Sequence, residues 1–334
     1  MTGTIVLTGI SGFIAKHVAL RLLQAGHAVR GTLRGMGRAD EVRAALRPHL
    51  DATLMGRLAF AEADLERDAG WAAAMAGAGA VVHTASPFPL AQPRDEGDLI
   101  RPAVEGTRRV LEAARRAGIG RVVVTSSVAA IMNGRPGILT EDDWLDPGDP
   151  RATPYERSKV LAERAAWDIA ARDGLALTTI NPGLVLGPPL DDRFGSSLAL
   201  VQRFLKGRDP MVPRVGFPVV DVRDVAEMHL RAIERPATAG RRYIASAGSM
   251  WMADMCRVLK ADHPDRRIPT REAPNLLLRG LALVDRSLAA IVPRLGLREQ
   301  TSNARAVSEM GMAFVPPDEA VRASARVLVD RALV

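Results

Sequence analysis

The sequence predicts an α/β protein: a doubly wound parallel sheet followed by a smaller, mainly helical C-terminal lobe. Three observations predict it. Short apolar runs alternate with amphipathic stretches of helical period over residues 1–180. A glycine-bearing turn joins the first apolar run to the first helix. Gly9, Arg34, Asp64, Ala85 and Ser127 all fall at the carboxyl ends of predicted strands, where ligands of such sheets sit.

Thr4 to Thr8 reads as a short buried strand, followed by Gly9-Ile10-Ser11-Gly12-Phe13-Ile14-Ala15 and a helix to about Ala25. Gly26-His27 ends the helix, and Ala28 to Leu33 is a second strand. In such a βαβ unit Gly9 allows a tight turn and Gly12 lets the backbone approach a pyrophosphate. The small Ala15 lets helix and strand pack closely. The helix N-terminus offers free N–H groups and partial positive charge to phosphates. Thr8, Gly9, Ser11, Gly12, Phe13 and Ile14 are therefore candidates to bind a dinucleotide, in a Rossmann-type arrangement. The second strand ends in Gly31-Thr32-Leu33-Arg34, with Arg38 shortly after. A carboxylate there would accept bonds from ribose hydroxyls, whereas a guanidinium suits a 2′-phosphate. NADP(H) is thus the expected cofactor, with Arg34 as main contact and Arg38 as second. The alternative is that Arg34 merely opens a solvated loop.

The alternation continues. Arg57 to Ala63 is a third strand, ended by Asp64-Leu65. A fourth, Ala80 to His83, runs into Thr84-Ala85-Ser86-Pro87. A long helix covers about Asp95 to Ala117, and Arg121 to Thr125 is a fifth strand ending in Ser126-Ser127. A second long helix, Pro154 to Asp173, precedes a sixth strand, Ala176 to Ile180. After Asn181-Pro182-Gly183, Pro and Gly become dense and helices dominate. Val219 and Val220 are expected to return a strand to the sheet before a helix at Asp224 to Arg235. The expected division is residues 1–180 with 216–236 for the cofactor, and 181–215 with 237–334 for the substrate. Asn275 to Ile291 reads as an apolar amphipathic helix, either core, dimer surface or lid.

Thr153-Pro154-Tyr155-Glu156-Arg157-Ser158-Lys159 carries the strongest chemical signal. It holds one of two tyrosines and one of four lysines, four residues apart on a helix and hence on one face. An ammonium beside a phenol is expected to lower the phenol pKa, which suits Tyr155 to proton transfer. A solvated surface pair is the bland alternative.

Composition narrows the classes. The 334 residues are 47% apolar, ample for a large core. The most apolar long stretch, Leu276 to Leu295, is interrupted by Arg279, Asp285, Arg286 and Arg294, so no membrane span is expected. The N-terminus lacks a signal-peptide layout, and a cytoplasmic protein is expected. A single cysteine, Cys256, excludes an internal disulfide framework. The +7 net charge comes from arginines scattered among Ala, Asp and Glu. No run of like charge with interleaved aromatics marks a nucleic-acid face. His17 and His229 read as structural. Phe88, Met132, Trp144 and Phe204 are candidate apolar walls of a substrate pocket, or ordinary core.

Taken together, several motifs resemble one family. They are Thr8-Gly9-x-x-Gly12-x-x-Ala15, His83-Thr84-Ala85-Ser86-Pro87, Thr125-Ser126-Ser127 and Tyr155-x-x-x-Lys159, followed by Asn181-Pro182-Gly183-Leu184-Val185-Leu186-Gly187-Pro188 and Asp221-Val222-Arg223-Asp224-Val225-Ala226. In this order, over about residues 3–245, they resemble an extended short-chain dehydrogenase/reductase. The most similar branch holds the dihydroflavonol, cinnamoyl-CoA and aldehyde/ketone reductases. Leu139-Thr140-Glu141-Asp142-Asp143-Trp144 also resembles that branch, as a loop near the site mouth. The resemblance implies that Tyr155 protonates a carbonyl oxygen as hydride arrives. It implies that Lys159 holds the nicotinamide ribose and that Ser127 donates to the substrate oxygen. Asp64 and Leu65 would meet the adenine, and Thr84, Ala85 and Ser86 the middle of the cofactor. Pro182, Gly183, Leu184 and Val185 would lie along the nicotinamide. Asn133 stands about one residue from the place of a flavonoid-specifying Asn, and Met132 is the other candidate for it.

The expected activity is reversible NADPH-dependent reduction of a ketone or aldehyde, with a small-molecule carbonyl as partner. A homodimer through the long helices is a family-level expectation. The alternatives are a nucleotide-sugar epimerase or dehydratase, a hydroxysteroid dehydrogenase, and a non-catalytic NADP sensor. Retention of the Tyr155/Lys159 pair speaks against the sensor.

Overall fold

The computed structural model describes residues 3–86, 95–132, 134, 137–283 and 291–334. Its strands are β1 (Thr4–Thr8), β2 (Val29–Leu33), β3 (Leu58–Glu62), β4 (Ala78–His83), β5 (Arg121–Thr125), β6 (Ile138–Leu139), β7 (Ala176–Pro182), β8 (Leu184–Leu186), β9 (Gly216–Asp221), β10 (Arg241–Ala245), β11 (Gly248–Trp251) and β12 (Gln300–Thr301). The helices are α1 (Phe13–Gln24), α2 (Ala39–Leu46), α3 (Ala52–Met55), α4 (Trp71–Met75), α5 (Gly97–Arg116), α6 (Pro154–Asp173), α7 (Ser196–Lys206), α8 (Val222–Glu234), α9 (Met252–Asp262), α10 (Asn275–Leu281), α11 (Ala304–Met310) and α12 (Pro317–Asp330).

Seven strands form the main sheet in the order β10-β7-β5-β4-β1-β2-β3, every neighbouring pair parallel. A parallel sheet is covered on both faces, so its central strands β1, β4 and β5 are mostly apolar and buried. The period of two remains visible in which core each side chain enters. Ile5, Leu7, Val82 and Val123 join α1 and α8 residues such as Val18, Leu22, Val225 and Ile233 on one face. Val6, Val81, Val122 and Val124 join Val110, Leu111, Ala166 and Ile169 of α5 and α6 on the other. The order reverses between β1 and β4, and the crevice at their carboxyl ends is the switch point where such sheets bind ligands.

Two expectations are corrected. Val219 and Val220 do form a strand, but β9 belongs to a separate three-stranded sheet, β11-β9-β8, and not to the main one. Arg241–Ala245, expected in the helical lobe, is instead the seventh strand of the main sheet, paired with β7. The reason is connectivity: helix α8 packs on β5 and β7 and delivers the chain back to that edge. The smaller lobe has its own core, where Leu198, Val201, Phe204, Met255, Leu259, Val321 and Leu328 of α7, α9 and α12 meet. Helix α10 buries Leu278 against Val215, Ala273 and Leu295 and exposes Leu276, Leu277 and Leu281. The rest of that expected helix, 284–290, lies outside the described residues. No described helix is long and apolar enough to cross a membrane.

Candidate active site

Helix α6 begins where the sequence makes it begin. Thr153 is the N-cap, its hydroxyl accepting from the Glu156 N–H, while the Glu156 carboxylate accepts from the Thr153 N–H at 2.7 Å. With Pro154 at the first helical position, this capping box fixes the first turn and hence the direction of Tyr155. Arg294 adds an ion pair to Glu156 from the C-terminal segment.

Tyr155 and Lys159 share a face, with the Lys159 ammonium 5.5 Å from the Tyr155 ring centroid. The side chains of Ser127 and Tyr155 are hydrogen-bonded. Ser127 follows β5 and caps a short 3₁₀ turn, its Oγ accepting from the Ala129 N–H at 3.1 Å. Lys159 Nζ donates to Ser86 Oγ at 3.0 Å. The three expected catalytic residues and Ser86 are therefore in one place.

The expected direction of the Tyr155 pKa is corrected. Burial raises it above the usual phenol value, opposed by the hydrogen bond with Ser127. The ammonium lies over the ring and is bonded to Ser86, so it does not dominate at the hydroxyl. Burial also brings the Lys159 pKa down to about 8, opposed by the Glu163 carboxylate. Near pH 7 the site thus holds a neutral phenol and a charged ammonium.

The dinucleotide turn fits a pyrophosphate. Gly9 has φ +65°, and a Cβ there would come 2.9 Å from Ala85 Cβ, so only glycine fits where the β1 and β4 loops meet. Among the described residues, no side chain caps the α1 N-terminus and none in its first turn is acidic. That leaves the amide dipoles free for an anion. The Thr8 side chain serves the scaffold: it is fully buried, and its Oγ1 bonds His83 Nδ1 at 2.8 Å and the Thr84 and Ala85 N–H groups at 3.1 Å each. Thr84 Oγ1 is likewise turned to the Thr8 carbonyl, at 2.5 Å.

Arg34 is exposed at the end of β2. Arg38 Nη1 donates to Ser11 Oγ at 2.9 Å, which draws a guanidinium onto the glycine turn, and its Nε donates to Glu41 at 3.2 Å. Asp64 accepts from the Glu66 N–H at 3.1 Å, and Leu65 packs on Gly106 of α5. Gly183 must be glycine, because a Cβ would meet the Pro218 carbonyl at 2.4 Å. Pro182 offers its carbonyl to Ser127 Oγ at 3.5 Å. Leu184 is partly buried against the smaller lobe's core, and Val185, 6% exposed, is mostly core.

The pocket expectations fare differently. Phe204 is 2% exposed, inside the smaller lobe's core, and Met132 packs with Val128, Ile131, Leu139 and Ile244. Neither is a free pocket wall. Trp144 is occupied by arginines, with the Arg242 guanidinium 3.7 Å and that of Arg164 5.5 Å from its ring centroid. Phe88 and Asn133 lie outside the described residues. His17 and His229 are buried, bonded to the Pro188 and Val225 carbonyls, and held neutral by burial with pKa values near 4.

Lys16, Asp191 and Arg193 were missed. Lys16 on α1 is almost fully buried and pairs with Asp191, while Arg193 reaches Glu41 at 3.3 Å. These contacts tie the loop after β8 to α1 and α2. A lysine on the apolar face of the first helix was the available signal.

Sequence comparison agrees with this geometry: a profile of the NAD dependent epimerase/dehydratase family matches residues 5–246. The chain belongs to that family. Cinnamoyl-CoA reductase 1 of Arabidopsis thaliana is 34% identical over 276 residues, 80% of this chain and 77% of the relative. An anthocyanidin reductase of Vitis vinifera is 30% identical, over 80% of this chain and 83% of its own. Among solved structures, yeast methylglyoxal/isovaleraldehyde reductase complexed with NADPH superposes with a TM-score of 0.81 at 26% identity, covering 99% of this chain and 100% of that one.

Proposed function

We propose that this family member reduces a ketone or aldehyde to an alcohol with NADPH. The observation that carries the proposal is the hydrogen-bonded Ser127–Tyr155 pair beside Lys159, at the switch point of a sheet whose first helix N-terminus is open to phosphate. The reductases among its relatives support it.

The protein's share of the chemistry follows from protonation states. When bound, the nicotinamide supplies the hydride. Tyr155, kept protonated by burial, donates its proton to the carbonyl oxygen as negative charge builds there. Ser127 donates a second hydrogen bond to the same oxygen. Lys159 stabilises the phenolate left behind, and Ser86 holds its ammonium in place. Arg34 and Arg38 favour the 2′-phosphate of NADPH. Pro182 lies beside Ser127, whose hydroxyl donates to its carbonyl.

The test is oxidation of NADPH and NADH by the purified protein against aromatic and aliphatic aldehydes, ketones and a dihydroflavonol, with Tyr155→Phe in parallel. The expected result is turnover with NADPH preferred, and a loss of about 10²–10⁴-fold in kcat/KM for Tyr155→Phe with NADPH binding retained. Full activity in Tyr155→Phe would remove Tyr155 as the acid. Purification with NAD tightly retained, and no carbonyl turnover, would favour epimerase or dehydratase chemistry.

A further inference from the structure

The proton-transfer pair is backed by a buried carboxylate that the reaction as described does not use. Glu163 lies one turn beyond Lys159 on α6, with its side chain fully buried. Its two oxygens accept from three other segments, the turn after β5, β7 and β10, and from Trp167 Nε1 on α6 itself at 3.4 Å. Ser126 Oγ donates at 2.5 Å, Thr179 Oγ1 at 2.9 Å, Asn181 Nδ2 at 2.7 Å and Arg242 Nε at 2.7 Å. Asn181 Nδ2 also bonds the Ser127 carbonyl at 3.2 Å. Arg242 is held in turn by the Glu141 and Asp143 carbonyls at 2.6 and 2.8 Å and lies against Trp144. Thus one carboxylate ties together the catalytic helix, the Ser126–Ser127 turn, β7 and the edge strand β10.

A buried carboxylate of this kind is costly unless every lone pair is met, and here the donors are in place. Simple stability does not require a charge at this point, since apolar packing would serve as well. What a charge supplies is direction and field. We infer that Glu163 is a positioning residue: its carboxylate locks the Ser127 turn to the catalytic helix and gives Lys159 a buried counter-charge, with Arg242 setting how much of that charge Lys159 feels. This inference rests on the reductase reading of Tyr155 and Lys159.

The charges around Lys159 fit. Among the described residues, the ionisable groups facing Lys159 are Tyr155 and Glu163 on its own helix and His83 on β4. His83 is held neutral by burial, with a pKa near 3, and Tyr155 is held neutral by its raised pKa. Glu163 is therefore the anion that opposes burial at Lys159. Arg242 is the cation that partly cancels it.

The experiment is the pH profile of kcat/KM for NADPH-dependent reduction, in the wild type and in Glu163→Gln, Glu163→Asp and Arg242→Gln. Thermal unfolding and NADPH binding are measured on the same preparations. Glu163→Gln is expected to move the basic limb down by about one pH unit and to lower kcat about 10–100-fold. Arg242→Gln is expected to move the limb up, because Glu163 loses its partner. Glu163→Asp keeps the charge but shortens the reach, so kcat falls with the limb in place. Should Glu163→Gln not fold, the opposite-sign shift in Arg242→Gln and the unshifted limb in Glu163→Asp still decide. A Glu163→Gln enzyme within twofold of wild type, or equal losses in all variants with an unmoved limb, would overturn the inference. If Tyr155→Phe kept full activity, the reductase reading would fail instead, independently of Glu163.

Discussion

The two ends of the crevice hold their charges in opposite ways. At the Ser127–Tyr155–Lys159 end the charges are buried and saturated: Glu163 meets five donor side chains, and Arg242 meets a carboxylate, two carbonyls and an indole face. At the Ser11–Arg34–Arg38 end the arginines are exposed or half-exposed, and Arg38 and Arg193 share the one carboxylate of Glu41. The difference teaches that one end is built for fixed geometry and the other for graded attraction. Buried, fully bonded groups have one arrangement and fail abruptly when changed. Exposed arginines are screened by water and salt, and each contributes a small, separable amount.

Removing the ammonium should break the buried end with the largest effect. Lys159→Met fills the same volume without the charge, so the fold should survive. The expected loss is about 10²–10⁴-fold in kcat/KM by steady-state kinetics, with folding checked by circular dichroism. A loss under fivefold would mean that the phenolate needs no cation and that the two ends differ less than their geometry implies.

The next largest effect is pH dependence, and its sign follows from Lys159. Its pKa, brought down to about 8, leaves it charged below that value and neutral above it. Tyr155, raised by burial, stays protonated throughout this range. kcat/KM, which reports the free enzyme, should therefore be level below pH 8 and fall above it by about tenfold per pH unit. A plateau extending to pH 10 would show that Lys159 is not the titrating group.

How much of this contrast the sequence carried depends on separation along the chain. The glycine turn, the Thr153–Glu156 capping box and the Tyr155/Lys159 pair each span a few residues, and local rules fix them. The parallel sheet was legible for the same reason, as a repetition of short patterns. Glu163 and Arg242 lie far apart in sequence, and nothing local announces that β10 returns to the sheet beside β7. One part was within reach: Glu163 stands four residues after Lys159, on the same helical face that holds the catalytic pair. Phe204 and Met132 were ambiguous because an aromatic or Met reads alike in a core and in a pocket wall. The Tyr155 shift came out with the opposite sign because burial, invisible in sequence, outweighs a nearby charge directed elsewhere.

The cofactor end should respond by degrees. Arg34→Ala and Arg38→Ala are each expected to weaken NADPH binding about 3–10-fold in fluorescence titrations, with NADH binding unchanged. The NADPH preference should also shrink as salt is raised. Arg38→Ala should have the larger effect, because Ser11 already holds that guanidinium on the turn whereas Arg34 is exposed. Equal effects on NADPH and NADH would mean that the arginines serve the shared pyrophosphate and not the 2′-phosphate.

Arg193→Ala should give the smallest effect and test the comparison most finely. Arg193 is exposed and joins the loop after β8 to Glu41 by one contact at 3.3 Å. The same loop keeps its second tie, Lys16 to Asp191, where the lysine is almost fully buried. An exposed pair is worth about 0.2–1 kcal/mol, so the loss in NADPH affinity should stay under about fivefold and vanish at high salt. Asp191→Asn leaves the buried Lys16 without its counter-charge and should cost more than Arg193→Ala, read as a faster NADPH dissociation in stopped-flow displacement. If the two variants were equal, the loop would behave as a single exposed surface, and burial would not separate the ties of the cofactor end as it does those around Lys159.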